Sequence, residues 1–586
     1  MTIHNSEIAA CFEEIADILE IQNENEFRVR AYRNAARVVA GAPHELSSFI
    51  AKDEELPKLS GIGKDLSQKI TEFLKSGKMP LLVELKQKIP LGVLELLKIP
   101  GLGPKRVRTL MQELKVQGID DLKKALESKQ VTELPGFGEK IAHQLFEGVV
   151  KREAQNRLPT RVLWIHAQEI AQGLLDYLRA LPGVKQAEAA GSLRRHVETV
   201  GDLDILVAPH AGLKARSEVF KKILEFEDIQ TVLLRGPKKL AFVLKQGMHV
   251  DVRLVSEQEW GAALHYFTGS KAHNVAVRTI AVKKGLRISE YGVYRGTRRV
   301  SGATEEEVFK AVGLDYIAPE MRENAGEIEA AAEHKLPTLL LTSHIRGDLH
   351  CHTTASDGRK SISEMAQKAR NLGYEYLAVT EHSQRLTVAR GLEPKRLWER
   401  IREIDGLNEG FAKGHGRPAF RILKGAEVDI LEDGSLDYDE DLLAALDWVV
   451  CSVHSRFKLS REKQTERIIR AMDHPHFHVL GHPTGRLILE REPYDIDMEK
   501  ILQAAVERGC FLELNAQPER LDLNEVHCKL AKALGVKLVV SSDAHNDTEM
   551  DFMPLGVAQA RRGGLEAADV VNTRSWSEVN KLLRKR

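Results

Sequence analysis

No stretch of this 586-residue chain approaches the ~20 consecutive apolar residues that a membrane-spanning helix requires. Cysteine is scarce as well: Cys11, Cys351, Cys451, Cys510 and Cys528 lack paired spacing, which excludes a disulfide scaffold and suits a reducing cytoplasm. Acids appear early (Glu7, Glu13, Glu14, Asp17), so no secretory leader is expected. Excess charge of either sign is missing too, because 85 Lys+Arg balance 85 Asp+Glu. That counts mildly against nucleic-acid binding by bulk electrostatics, so any such contact must come from local placement of charge and backbone amides. What is there, 43% hydrophobic and 29% charged residues, describes a globular protein. The length calls for roughly three to five domains. A cytoplasmic monomer without membrane contact is expected.

Residues 1 to about 150 read as helices separated by glycine turns, and one element recurs three times. It appears as Leu59-Ser60-Gly61-Ile62-Gly63-Lys64, as Ile99-Pro100-Gly101-Leu102-Gly103-Pro104-Lys105, and as Leu134-Pro135-Gly136-Phe137-Gly138-Glu139-Lys140. From about 160 short β-rich runs (187–190, 203–207, 240–244, 250–255) alternate with helices, which predicts a mixed sheet. A small α/β appendage over 256–318 and a packed linker over 319–345 follow. Beyond Arg346, seven apolar runs (348–350, 376–380, 421–426, 448–453, 478–481, 511–514, 537–541) separated by helical segments predict a parallel sheet closed as a barrel.

A glycine turn opening a helix exposes free N–H groups at the positive end of the helix dipole and lets a phosphate approach closely. A single copy is often just a helix–helix corner. Three copies, with Lys64, Lys105, Arg106, Arg108 and Lys140 beside them, point to a grip on a polynucleotide backbone that reads no sequence. The elements resemble helix–hairpin–helix motifs. Lys69 falls where eukaryotic polymerase beta-like enzymes carry a lyase lysine, which implies a Schiff base with an abasic sugar. Asp65 departs from the basic residue of those relatives, and a solvated surface lysine is the other reading.

Asp202 and Asp204 flank Leu203 at the start of an apolar strand, so alternation puts both carboxylates on one face. Asp251 lies in a second such strand, His249-Val250-Asp251-Val252-Arg253. Three carboxylates on adjacent strands suit two Mg²⁺ (or Mn²⁺) ions for phosphoryl transfer. Gly191-Ser192-Leu193-Arg194-Arg195 precedes Gly201-Asp202-Leu203-Asp204, and Tyr266-Phe267-Thr268-Gly269-Ser270 follows, with Asn274 and Arg278 beyond. In that order these motifs resemble the family X DNA polymerases over residues 1 to about 318. The resemblance implies that Ser192 and Arg195 contact the β- and γ-phosphates and that the Tyr266-Phe267 backbone favours deoxynucleotides. It also implies that Asn274 meets the base and Arg278 the template side. His249 stands where vertebrate relatives have an arginine, and Val200 where they have a phosphate-binding serine.

The last third places ligand-type side chains at strand ends: His350, His352 and Asp357, then His382, Glu427, His454 and His482, then Asp543 and His545. Imidazole and carboxylate donors suit Mn, Zn or Fe, and nine donors exceed the needs of one ion, so two or three are expected. His415, His474, His476, His478 and His527 lack the strand-end position, while Arg456 and Arg486 are either phosphate contacts or solvated arginines. Residues 346 to about 575 resemble a PHP (polymerase and histidinol phosphatase) domain. By that resemblance His350, His352, Glu427 and Asp543 hold one metal, and Glu427 bridges to a second held by His454 and His482. Asp357, His382 and His545 hold a third.

The expected architecture is therefore a multidomain α/β chain with six parts. Two are helical DNA-binding domains (1–80, 81–155), followed by a nucleotidyltransferase palm (156–255), a nucleotide-selecting subdomain (256–318), a linker (319–345) and a distorted (β/α)7 PHP barrel (346–586). The expected activity is gap-filling DNA repair synthesis on primer–template DNA with dNTPs, joined to metal-dependent 3′→5′ exonuclease or abasic-site cleavage. A small-molecule nucleotidyltransferase fused to a histidinol-phosphatase-like phosphoesterase is the alternative. A non-catalytic DNA-bridging protein is a further one.

Overall fold

The computed structural model describes residues 5–42, 46–51, 55–57, 59, 61–97, 99, 101–139, 141–142, 144–146, 148–149, 161–210, 213–413 and 420–583. The chain divides into two compact units, Met1–Thr160 and Arg161–Arg586. The described part of the first unit contains helices and no strand. Its helices Asn5–Ile21, Glu26–Ala40, Lys64–Ser76 and Pro104–Leu114 bury their apolar stripes in one core that includes Phe12, Tyr32, Ile70, Val107 and Leu110.

The second unit opens with the short pair β1 (Val162–Leu163) and β3 (Thr199–Val200). Its main sheet comprises β2 (Val184–Ala189), β4 (Asp202–Pro209), β5 (Ile229–Arg235), β6 (Lys239–Leu244) and β7 (His249–Leu254) in the order β2-β4-β7-β6-β5. Only β4 and β7 run parallel, with Asp204 opposite Asp251. Helices Trp260–Thr268 and Lys271–Lys283 lead into an antiparallel trio, β8 (Arg287–Ser289), β9 (Gly292–Arg295) and β10 (Arg298–Ser301).

The remaining strands are β11 (Gly347–Asp348), β12 (Tyr376–His382), β13 (Arg421–Asp429), β14 (Trp448–Ser452), β15 (Val479–Leu480), β16 (Phe511–Asn515) and β17 (Leu538–Ser541). They pair in sequence order and all parallel, and a bridge between Cys351 and Ala544 draws the two edges together into a nearly closed barrel. Burial on both faces explains the continuous apolar runs, as in Trp448-Val449-Val450-Cys451. Arg346-flanking residues are not a floppy tether: Leu340 N–H donates to Leu565 O (2.9 Å), and Arg561 Nε lies 2.7 Å from Glu320. Among the described residues no helix is long and apolar enough to cross a membrane.

Two candidate metal centres and a candidate nucleic-acid interface

The three glycine turns of the first unit share one geometry. Ile62, Leu102 and Phe137 donate to the carbonyls of Leu59, Ile99 and Leu134 at 3.0–3.1 Å, with Gly61, Gly101 and Gly136 at φ of +81°, +90° and +84°. Only glycine adopts that backbone readily, which is why the residue recurs. The second glycine of the first two copies caps the following helix, and a methyl group at Gly63, Gly103 or Gly138 would meet nothing within 4 Å. Each turn therefore presents bare backbone to solvent, with exposed Lys64 and Lys105 next to the first two. Lys140 lies outside the described residues. Lys69 Nζ is paired with Asp65 at 2.5 Å.

In the sheet, the parallel register of β4 and β7 brings Asp202, Asp204 and Asp251 together at one edge. Burial, then the neighbouring charges of Asp202 and Asp251, push the Asp204 carboxyl up to about 7. Lys239 Nζ, 2.9 Å from Asp251, offsets part of that repulsion. Such mutual repulsion is what a divalent cation relieves, so the donor set fits metal binding. Gly191 (φ +61°) lets the preceding turn close on this group, since a Cβ there would lie 2.6 Å from Asp204 Oδ2.

Around the carboxylates, Ser192 is half-buried in the short helix Gly191–Arg194, and Gly201 immediately precedes β4. Arg195 donates from Nε to Glu323 (3.0 Å) and from Nη1 to Thr268 O (2.5 Å), which ties it to the end of helix Trp260–Thr268. Tyr266 and Phe267 lie on that helix, with the Arg253 guanidinium 4.4 Å over the Phe267 ring, and Gly269 caps it. Asn274 Nδ2 donates to Tyr266 O (2.7 Å), while its buried Oδ1 has no hydrogen-bond partner. Arg278 is exposed.

At the barrel mouth the strands deliver their side chains at one height. His350, His454, His482 and Asp543 each stand two residues past the end of β11, β14, β15 and β17, and His382 lies opposite Glu427 in the β12–β13 register. Glu427 is central: its oxygens approach His382 Nδ1 (2.7 Å), His482 Nε2 (2.9 Å), His454 Nε2 (3.2 Å) and His350 Nε2 (3.5 Å). Asp543 faces His352 Nε2 (3.2 Å) and His350 Nε2 (3.5 Å), and Asp357 faces His382 (3.4 Å) and His545 (3.5 Å). All nine side chains singled out in the sequence thus converge.

Their donor atoms form three groups of metal-binding size: His352 with Asp357, His382 and His545; His350 with His352 and Asp543; His382 with Glu427 and His454. The partition differs from the expected one, because His352 and His382 each serve two groups and His482 joins none. Burial favours a neutral Glu427, yet His382, His454 and His350 hold its carboxyl well below the usual range. Against the same burial, carboxylate neighbours raise His382 and His545 to about 9 and His454 to about 10. His352 is pushed down to about 3 by burial and by His382 and His545. Buried His350 Nε2, His352 Nδ1, His382 Nδ1 and Glu427 Oε2 face one another or neighbouring carboxylates at 2.7–3.9 Å without a well-oriented hydrogen bond, the pattern expected of groups shaped for cations.

A supporting layer escaped the sequence reading. Glu513, on β16, accepts from His350 Nδ1 (2.7 Å) and His482 N (2.5 Å), and Asp429 lies 3.2 Å from His454 Nδ1. Carboxylates that orient ligating imidazoles are typical of such centres. A charged residue inside the apolar run Phe511–Asn515 was the available signal. Arg486 is corrected as a phosphate contact: it forms a bidentate pair with Glu198 (2.5 and 3.2 Å) and donates to Arg520 O. Arg456 is exposed and paired with Glu432 at 2.9 Å. His474 and His476 share Glu440, and His478 accepts from Val449 N; His415 lies outside the described residues.

Comparison with known proteins agrees with this geometry. Family models match as a helix-hairpin-helix domain (3–79), a SAM-like helix-hairpin-helix tandem (93–149), the DNA polymerase beta thumb (263–323) and the PHP domain (348–517). The chain is 32% identical over 241 residues to a probable phosphatase of Thermoanaerobacter sp. (strain X514), covering 39% of this chain and 89% of that one. A probable phosphatase of Acetivibrio thermocellus is 31% identical over 212 residues, covering 35% and 80%. The DNA polymerase/3′-5′ exonuclease PolX of Bacillus subtilis (strain 168) is 39% identical over 587 residues, covering 100% of both chains. With carboxylates on adjacent parallel strands, an imidazole-rich barrel mouth and that full-length likeness, the chain belongs to the PolX family of family X DNA polymerases that carry a PHP domain.

Proposed function

We propose that this chain is a gap-filling DNA polymerase that also trims 3′ ends, with the two reactions run at separate metal centres. The observation that carries the reading is the convergence of two carboxylate-containing clusters, one on the β4–β7 edge and one at the barrel mouth, in a full-length PolX relative.

In the sheet, Asp202, Asp204 and Asp251 would hold Mg²⁺ or Mn²⁺, which when bound acidifies a primer 3′-hydroxyl and neutralises the leaving group. Around it, Ser192, the Gly191 and Gly201 backbone and Arg195 bind the triphosphate of a dNTP, stabilising charge that grows during transfer. Tyr266, Phe267 and Gly269 bound the sugar, Asn274 offers its unpartnered Oδ1 to the base side, and Arg278 reaches the template. The backbones at Gly61–Gly63, Gly101–Gly103 and Gly136–Gly138, with Lys64, Lys105 and Lys140, grip DNA phosphates. Lys69 carries no step in this reading, since its amine is engaged by Asp65.

At the mouth, the nine side chains from His350 to His545 would hold two or three Mn²⁺, Zn²⁺ or Fe²⁺ ions, which supply a hydroxide-generating and phosphate-clamping function when bound. Glu513 and Asp429 fix the orientation of His350 and His454. The likeness to probable phosphatases supports phosphate-ester hydrolysis at this centre.

Primer extension and 3′ degradation on gapped DNA test the proposal. Asp202→Ala/Asp204→Ala is expected to abolish extension, and Asp543→Ala to abolish degradation while leaving extension within about twofold. Extension surviving the double replacement would refute the polymerase assignment, and simultaneous loss of both activities in Asp543→Ala would refute separate centres.

A further inference from the structure

The segment following His382 leaves the barrel and comes straight back. Ser383 and Leu392 form an isolated parallel bridge, and Leu392 N–H donates to His382 O at 2.8 Å, so the eight residues between the bridged pair close an Ω-shaped loop on the end of β12. Gly391 is needed at the closure, because a Cβ there would lie 1.9 Å from Ser383 O. The loop and the start of helix Pro394–Lys413 enclose an open cavity of about 420 Å³ whose lining includes Arg385, Thr387, Arg390, Arg396 and Asp437.

Three arginines face this space, and none of them has an ion pair within 4.0 Å among the described residues. Arg396 is held by the carbonyls of Arg390 (3.2 Å) and Ala355 (2.5 Å), whereas the side chains of Arg385 and Arg390 are exposed. Asp437 accepts the Arg385 backbone N–H at 2.7 Å and so anchors the loop. Val388 stands at the loop tip, 88% exposed. Arg385 follows His382 by three residues, which keeps their backbones within about 11 Å. The hydroxyl of Ser383, next to His382, donates to Asp429, the partner of His454, at 3.4 Å.

We infer that this loop is a strand-binding subsite of the nuclease: Arg385 and Arg390 take phosphates of a single DNA strand next to the scissile bond, and Val388 supports a base. The inference rests on the exonuclease reading above and names the part of the substrate that reading leaves unplaced. A space of this volume takes one or two nucleotides of a single strand and not a duplex. Guanidiniums bind phosphate without reading sequence, so the subsite is indifferent to base identity.

The test uses the full chain with Arg385→Ser/Arg390→Ser, which leaves the anchoring contacts of Arg396 and Asp437 in place. With Mn²⁺, hydrolysis of a single-stranded oligodeoxynucleotide is compared with that of bis(p-nitrophenyl) phosphate, a diester too small to reach the loop. The ratio of the two KM values is expected to rise about tenfold. The salt dependence of oligonucleotide KM should become shallower by about 1.4 in log–log slope, at roughly 0.7 per phosphate contact. Binding of a fluorescent trideoxynucleotide in EDTA, read by anisotropy, is expected to weaken about tenfold as well. An unchanged KM ratio with unchanged trinucleotide affinity would overturn the subsite while leaving the nuclease assignment standing. Failure of the unaltered chain to degrade any oligonucleotide while it cleaves the small diester would overturn both.

Discussion

Glu513 illustrates how much a single buried carboxylate governs at the barrel mouth. It is 1% exposed, accepts from His350 Nδ1, Ser541 Oγ and His482 N, and so fixes which nitrogen of His350 faces Glu427 and Asp543. Glu513→Gln keeps the shape but offers only one acceptor oxygen. Losing such a support is expected to weaken metal binding by roughly 10- to 100-fold. Mn²⁺ titration of the metal-free protein measures it, and an affinity within twofold of the unaltered chain would exclude the orienting role. Extension, which depends on the sheet carboxylates, serves as the internal reference. The same scale shows what a sequence hides: the nine strand-end residues carry a visible pattern of residue type and spacing, whereas Glu513 is marked only as a lone charge inside the apolar run Phe511–Asn515. Arg486 misled for the related reason that its partner Glu198 is 288 positions away.

Among elements, the helix Glu305–Ala311 packs against helix Trp260–Thr268, and its first residue anchors a buried ion triad. Glu305 Oε1 and Oε2 take Arg194 (3.0 and 2.7 Å), and Oε1 also takes Arg322 (2.6 Å), whose side chain is fully buried. Burial opposes ionisation, yet the two guanidiniums hold the Glu305 carboxyl down to about 2. A depressed carboxyl stabilises the fold above its unfolded value of about 4.5, and the contribution fades as pH falls toward 2. At neutral pH it amounts to about 3 kcal/mol. Denaturant midpoints between pH 5 and pH 2.5 should therefore fall less steeply in Glu305→Gln, which should also be destabilised at pH 7; parallel curves would sink the argument. Elements with continuous apolar runs were legible beforehand, as β14 and β17 show, because burial on both faces leaves no polar interruption. The strand β5 was missed: it is the sheet's edge, its residues are half-exposed or exposed, and Ile-Gln-Thr at its start carries no clear alternation. The short β1–β3 pair is too brief to show any period.

Across the whole of residues 161–586, the sheet and the barrel are joined by charge as well as by chain. Arg486, just past His482 at the end of β15, grips Glu198 in the turn ahead of Asp202, and Gln559 adds a 3.1 Å bond to the same carboxylate. Replacing Arg486 by Met leaves Glu198 facing a largely dry contact. The cost should be roughly 2–3 kcal/mol, below that of a fully buried pair because a fifth of the Glu198 side chain remains exposed. Scanning calorimetry should show the heat absorption of this unit resolving into two steps, with the barrel melting last. One undivided transition at an unchanged temperature would argue that the joint is carried by apolar packing instead.

Glu323 is shared in a similar way, accepting from Arg195 (3.0 Å) and from Arg562 (3.2 Å), while Arg562 also donates to Arg195 O (2.8 Å) across 367 positions of sequence. A fragment ending ahead of the barrel would retain every aspartate of the sheet and every residue of the thumb-like helices. It would nevertheless lose the Arg562 bonds to Glu323 and to the Arg195 carbonyl, so the Arg195–Glu323 pair beside Thr268 would be open to water on that side. Trimming the hydrolytic half away thus yields a synthetic half with a looser grip, not the same catalyst made smaller.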